Sequence, residues 1–413
     1  MKYLLKILPQ NKGRLLIYFD QVIISGSNFI FAIVLTRILG ISSYGEYALI
    51  WMITFFFSSV QQALIIAPLY TLSEKYKNQD KIEFHTTLKQ YQNVLSIITF
   101  IISTIILSIF YNTTQANLPN LITIAFAITG YIHIDFQRRM MFLQKEFIHI
   151  IILDLIYYPL SIILLFTASL FFNITLLNHF QILASLSLVC LIICHKKLEY
   201  HLNFQRLKES WSIIWEYSKY LFYTSLLQFL TGNLFLILTG TILSSSHLGA
   251  IRICQNIMGG MHILFSAFEN YIPIKASKIF NQNGFDGLRK YYKKLIIDTG
   301  PIILTFNILI ILFNKQLLKL LYNIDNQNTS IVLILFGIIY PFIFIGTLQR
   351  FIIRTIEQNK IIYTGYLIST IISLIICYPI VYYYGVIGAT TGLLITQIIY
   401  VFYYQLMIKK TYV

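Results

Sequence analysis

The chain has 413 residues, of which 57% are hydrophobic and only 11% charged, with a mean hydropathy of +0.71. A soluble domain carries about 25% charged residues, and no water-soluble core of this length hides so much apolar side chain, so lipid is the expected solvent. The net charge of +15 suits an anionic partner, and its placement along the chain decides which one.

A bilayer-spanning helix needs roughly 20 apolar residues. Twelve such stretches follow one another. The first six are Leu15–Leu39, Tyr44–Leu72, Asn93–Tyr111, Leu118–Ile134, Phe147–Phe172 and Leu176–Cys194. The second six are Tyr220–Leu243, Ile253–Ile274, Leu295–Phe313, Ser330–Leu348, Ile361–Tyr384 and Val386–Ile408. The basic stretch before Leu15 leads into a span with no small-x-small cleavage site, so it reads as a retained first helix. Cys190, Cys194, Cys254 and Cys377 lie in or at the ends of apolar stretches with no CxxC pair, and read as packing residues.

Of the 31 Lys and Arg, all but Arg37, Arg252, Lys315 and Lys319 fall on one side of this topology. By the positive-inside rule that side is cytoplasmic and holds both termini. The surplus charge then faces anionic leaflet lipids and calls for no nucleic acid. The outer connections are short, so no extramembrane domain is expected, and the chemistry has to take place inside the membrane.

The His195–Lys219 connection divides the spans six and six. SGSNF at Ser25–Phe29 pairs with TGNLF at Thr231–Phe235, and Tyr44-Gly45 with Leu248-Gly249. Pro68 pairs with Pro273, Gln137-Arg138 with Gln349-Arg350, and Pro159 with Pro379. The matches are collinear. An even number of spans per half puts the repeat axis along the membrane normal, one of the arrangements that transporters use. The expected domains are an N-terminal six-helix bundle over 1–195, a cytoplasmic linker over 196–219 and a C-terminal six-helix bundle over 220–413. The expected fold is all-α and polytopic, with about twelve transmembrane helices in two bundles around a central cavity.

The stretches LTRILGISSYGEYAL, RICQNIMGGMHILFSAFENYIPIKASKIF, DFQRRMMFLQKEF and GVIGATTGLLITQ resemble the Wzx-type polysaccharide flippases of the multidrug/oligosaccharidyl-lipid/polysaccharide exporter superfamily. The resemblance covers essentially the whole chain. It implies a non-enzymatic protein of a bacterial cytoplasmic membrane that moves a polyprenyl-diphosphate-linked oligosaccharide to the outer leaflet, for O-antigen, capsule or a similar surface polysaccharide. It implies a lipid-linked oligosaccharide and membrane lipids as partners, with a polysaccharide polymerase and a chain-length regulator as further candidates. Two alternatives stay open, a cation-coupled multidrug exporter of the same superfamily and a peptidoglycan-precursor flippase. Relatives of the latter kind usually carry fourteen spans.

A diphosphate and many hydroxyls cannot cross hydrocarbon unaided, so the candidate residues are the polar ones within or beside the spans. Asn28 and Asn233 sit at repeat-equivalent mid-span positions, where they line a cavity or bond neighbouring helices. Asp20 and Glu269 are acids about five residues inside spans one and eight, placed for the cavity or for an inner-face cation. Arg37 and Arg252 stand at the outer ends, and Arg138 and Arg350 at the inner mouth. Each either meets the diphosphate or serves anchoring and topology. Gln61 and Asn256 are sugar contacts or interhelical bonds, and His262 is a titrating group or a buried neutral ring. No GxxxxGK[ST], HExxH or GxSxG motif occurs, and no acidic cluster sits at a loop where a glycosyltransferase holds its metal. No cofactor or metal is expected.

Overall fold

The structure, a computed structural model, describes the backbone of residues 2–73, 76–110, 117–194 and 204–412. Among the described residues every regular element is helical. Helix α1 (Lys2–Gln61) passes through a π-helical stretch, Gln62–Ile66, into α2 (Ala67–Thr71). There follow α3 (Asn78–Phe110), α4 (Leu118–Leu143), α5 (Phe147–Tyr157), α6 (Pro159–Phe171), α7 (Leu176–Cys194) and α8 (Phe204–Leu238). A second π-helical stretch, Thr239–Leu243, precedes α9 (Ser245–Ile257). Helices α10 (Gly259–Leu312), α11 (Asn314–Tyr322), α12 (Gln327–Thr355) and α13 (Asn359–Tyr412) complete the chain.

Nine helices among the described residues are long and apolar enough to cross a bilayer. Two of these, Phe19–Thr71 with 53 residues and Asn359–Lys410 with 52, have twice the length a span requires. Gly40 (φ 84°) and Gly385 (φ 59°) break them at conformations that glycine adopts without a Cβ clash. Splitting there turns nine into eleven. The expected eighth span falls on α9 and the start of α10, ahead of a like break at Gly284 (φ 62°). The architecture is therefore compatible with twelve spans. The expected fifth span is two helices, because Pro159 stops α5 and opens α6. The expected linker is helical from Phe204 onward within α8, since no Gly or Pro interrupts 204–219. Its earlier part, 196–203, lies outside the described residues.

Phe171, Phe172, Ile192 and Tyr383 are more than two-thirds exposed. Outward-facing apolar rings and branched chains are what a lipid-facing helix requires.

Two compact units divide the chain: Met1–Val34 with Ile50–Leu226, and Leu35–Leu49 with Leu227–Val413. In the first, α4 approaches α7 so closely that a Cβ on Gly130 would lie 2.5 Å from the Ser187 Cβ. In the second, Gly45 meets the Ser245 carbonyl and the Gly249 nitrogen, where a Cβ would overlap backbone. Gly392 seats the fully buried Phe235 ring. Small residues at such crossings let helix backbones approach in lipid, where dispersion and hydrogen bonds drive association.

The internal repeat shows in the local structure. Helices α4 and α12 both start on an asparagine cap: Asn117 Oδ1 accepts from Asn120 N at 3.1 Å and Asn326 Oδ1 from Thr329 N at 3.2 Å. Both end in the same Schellman-type turn. Lys145 and Glu357 each take φ 59°. Glu146 N bonds Met141 O and Gln358 N bonds Ile353 O, each at 3.0 Å. The helices that follow begin at Phe147 and Asn359. Every one of these turn positions is offset by 212 residues, the offset of the Gln137-Arg138 and Gln349-Arg350 pair.

Candidate functional site

The first unit holds a buried ionic cluster drawn from three helices. Arg138, near the end of α4, has a side chain only 10% exposed. Its Nη2 pairs with Asp20 Oδ2 of α1 at 3.1 Å, and its Nε with Asp154 Oδ1 of α5 at 2.6 Å. Asp135, one turn before it on α4, lies 3.6 Å from Nη1 and pairs with Arg139 at 2.8 Å. The Asp154 side chain is fully buried. A carboxylate at that depth is tolerable only beside a cation. Three carboxyl groups thus face two guanidiniums.

A chain of neutral polar groups runs through the same unit. Gln61 donates to Gln92 Oε1 at 2.9 Å and to the Ile132 carbonyl at 2.7 Å. Gln92 donates to Ser96 Oγ at 3.2 Å, which lies 3.2 Å from His133 Nδ1. His133 Nε2 is 3.3 Å from the amide of Gln137, next to Arg138 in sequence. The interhelical alternative for Gln61 is thus realised, between α1, α3 and α4.

In the second unit, Arg37 donates to the carbonyls of Leu321, at 2.8 Å, and Leu320. These belong to the last turn of α11, where a cation complements unsatisfied carbonyls. Arg252 bonds Gln255 Oε1 at 3.0 Å and reaches Asn233 Oδ1 at 3.4 Å. Asn233 also bonds its own helix at Phe229 O, 3.0 Å away. Asn256 donates to the Tyr322 hydroxyl at 2.6 Å and so ties α9 to α11. Arg350 donates to the Tyr366 hydroxyl at 2.7 Å and to Thr347 Oγ1 at 2.9 Å. A concavity of about 180 Å³ in this unit is lined by Ser246, His247, Asn326, Asn328 and Thr329, with apolar neighbours.

The expected residues thus fall into separate groups. Asp20 and Arg138 come together in the first unit, and Asn233 and Arg252 in the second. Asn28 is exposed. Gly26 and Gly232, its motif partners, would meet nothing within 4 Å if given a Cβ, so close helix packing does not account for SGSNF and TGNLF here. The side chains of His262 and Glu269 lie outside the described residues. Sequence reasoning missed Asp135, His133, Thr347 and Tyr366. The signal was available: Asp135 and Asp154 stand at −3 and +16 from Arg138, and Thr347 and Tyr366 at −3 and +16 from Arg350.

Comparison with solved structures gives the fold a set of neighbours. The lipid II flippase MurJ in an inward closed conformation superposes with a TM-score of 0.66 at 14% identity, over 96% of this chain and 87% of that one. An inward-facing multidrug resistance MATE transporter of the MOP superfamily gives 0.67 at 13% identity, over 95% and 96%. A point mutant of the MATE transporter VcmN of Vibrio cholerae gives 0.51 at 15% identity, over 97% and 93%. Comparison with curated sequences gives no match. The expected resemblance is borne out, in fold by these structures and in family by a sequence model. The model of the family described as "Polysaccharide biosynthesis protein" matches residues 34–331, and the chain belongs to that family.

Proposed function

We propose that the protein is a flippase that moves a polyprenyl-diphosphate-linked oligosaccharide from the inner to the outer leaflet of a bacterial cytoplasmic membrane by alternating access. The observation that carries this reading is the conjunction of a polysaccharide-biosynthesis family match with the all-helical fold of lipid and drug transporters. The amides and hydroxyls around this concavity have the chemistry that sugar hydroxyls bind. Outward movement of each phosphate charge is favoured by about 2.3 kcal/mol per 100 mV, inside negative. Both termini and the 195–219 connection face the cytoplasm in this reading, and the polymerase and chain-length regulator act downstream of the same lipid.

The group of acids Asp20, Asp135 and Asp154 favours a second reading, a cation-coupled exporter, since an acid in the membrane interior is what binding a cation requires. The test is complementation of a strain lacking its polysaccharide flippase. Restored surface polysaccharide, with clearance of the accumulated lipid-linked precursor, is expected. Unchanged polysaccharide together with altered drug susceptibility would replace the first reading by the second. Restored peptidoglycan synthesis in a strain lacking its lipid II flippase would point to that precursor as substrate.

A further inference from the structure

Arg138 and Arg350 occupy matching points of the internal repeat, at the ends of helices that start and stop alike. Their surroundings differ in charge. At the offset of 212 that relates the two turns, Asp135 becomes Thr347 and Asp154 becomes Tyr366. At the offset of 206 that relates Gly26 to Gly232, Asp20 becomes Leu226. The contacts follow the exchange. Nη1 and Nη2 of Arg350 reach the hydroxyls of Tyr366 and Thr347, where those of Arg138 reach the carboxylates of Asp135 and Asp20. No carboxylate among the described residues pairs with Arg350.

The neutral surroundings are built into the packing. Tyr366 and Tyr400 have ring centroids 5.9 Å apart, and Tyr400 and Tyr404 5.5 Å. Gly346 and Gly365 make the room: a Cβ would lie 2.6 Å from Tyr400 Cε2 and 2.3 Å from Tyr404 Cε1 respectively. The Tyr404 hydroxyl is fixed on the Ile362 carbonyl at 3.3 Å, and the Tyr400 hydroxyl donates to Gln397. The cage buries Tyr366, Tyr400 and Tyr404 and leaves Arg350 half-buried.

A guanidinium carries five N–H donors, and the described contacts of Arg350 use two of its nitrogens on neutral oxygens. Its planar fork matches a phosphate, and charge-assisted bonds to an anion are about twice as strong as neutral ones. Arg138 is the opposite case, since its charge is already matched and a phosphate placed there would face Asp20 and Asp154. We propose that Arg350, framed by Thr347, Tyr366, Tyr400 and Tyr404, is an anion site of the second unit that binds the phosphate of a lipid, either a polyprenyl diphosphate or a phospholipid headgroup. The choice of polyprenyl diphosphate as the transported ligand rests on the proposed function.

The test uses the full-length protein in nanodiscs of phosphatidylcholine, titrated in separate arms with undecaprenyl diphosphate and with phosphatidylglycerol. Thermal midpoint and lipid retention in native mass spectrometry are read together. Undecaprenyl diphosphate is expected to stabilise the wild type. Arg350→Gln should bind it at least about tenfold more weakly, the scale of one lost charge-assisted bond, with Arg350→Lys in between. Tyr366→Phe separates binding from folding. It removes a neutral acceptor and keeps the charge, so an anion site retains or gains affinity, whereas a merely structural Arg350–Tyr366 bond predicts loss. Equal binding by wild type and Arg350→Gln in both arms overturns the proposal, as does lost binding in Tyr366→Phe. Dependence on Arg350 in the phosphatidylglycerol arm alone keeps the phosphate site and rejects the diphosphate as its ligand. Failure of complementation with Arg350-dependent phosphatidylglycerol binding intact would reject the flippase reading and leave the anion site standing.

Discussion

Arg138→Met removes the cation that holds three helices of the first unit together. Asp20 and Asp154, with side chains 5% and 0% exposed, would then share one buried space with no positive partner. Breaking a buried pair by deleting one member costs about 3–5 kcal/mol, because the remaining charge stays desolvated, and here two acids remain. Arg139 provides the comparison. Its side chain is 34% exposed and its ion pair among the described residues, to Asp135, is an i,i+4 contact, for which about 0.3–0.5 kcal/mol is typical. Arg139→Met should therefore express and melt nearly as the wild type, while Arg138→Met should lose most of its folded yield. Adding Asp154→Asn to Arg138→Met removes the most buried orphan acid and should recover part of the loss, a coupling of about 1–3 kcal/mol between contacting residues. Membrane abundance and detergent melting of the four proteins provide the measurement. If Arg138→Met is as stable as Arg139→Met, or if the double variant is no better than Arg138→Met alone, the cluster is not the structural tie inferred from its geometry.

Gly45→Ala should fail to accumulate, because its Cβ would lie 1.7 Å from the Ser245 carbonyl oxygen and backbone cannot yield as a rotamer can; Gly26→Ala, with nothing within 4 Å, should accumulate normally. A cysteine introduced at residue 200 should react with an impermeant thiol reagent only in inside-out vesicles, and the wild-type background should be quiet because all four native cysteines are buried; labelling from outside would invert the proposed topology. Arg37→Ala should lower the melting midpoint, since it strips the last carbonyls of α11 of their donor, at a cost of about 0.5–1.5 kcal/mol; lost surface polysaccharide at normal abundance would instead give Arg37 a role in handling the substrate.

Much of the fold was legible because lipid makes the rules simple. Backbone polar groups must be satisfied within each segment, so apolar length marks helices, and basic residues mark the connections between them. Local chemistry adds detail where length alone is silent. Pro159 breaks a stretch that composition leaves whole, and residues 204–219 stay helical because charge alone does not end a helix. The polar residues were harder. Composition identifies an intramembrane acid as costly, but not which cation meets it, and Asp20 finds its partner 118 positions away in sequence. Likewise nothing in the sequence indicates that Gln61 bonds Gln92 and the Ile132 carbonyl.

Beyond its paired motifs, the sequence carries a charge difference around the repeated arginine. Once Gln137-Arg138 is aligned with Gln349-Arg350, the residues at −3 and +16 are fixed in both halves, with Asp and Asp in one and Thr and Tyr in the other. The same turn geometry recurs at Lys145 and Glu357, so the backbone places these side chains alike. Retaining the arginine while exchanging its carboxylates for hydroxyls changes what the position can do. A carboxylate built into the fold at about 3 Å meets the guanidinium without the association entropy that an exchangeable anion has to overcome, so the charge of Arg138 is matched within the protein. Neutral oxygens orient a guanidinium without cancelling its charge, which is the basis of the anion site proposed at Arg350. Under the proposed function, a transporter of lipid phosphates has use for both kinds of arginine, one to hold helices together in a low dielectric and one whose charge remains available.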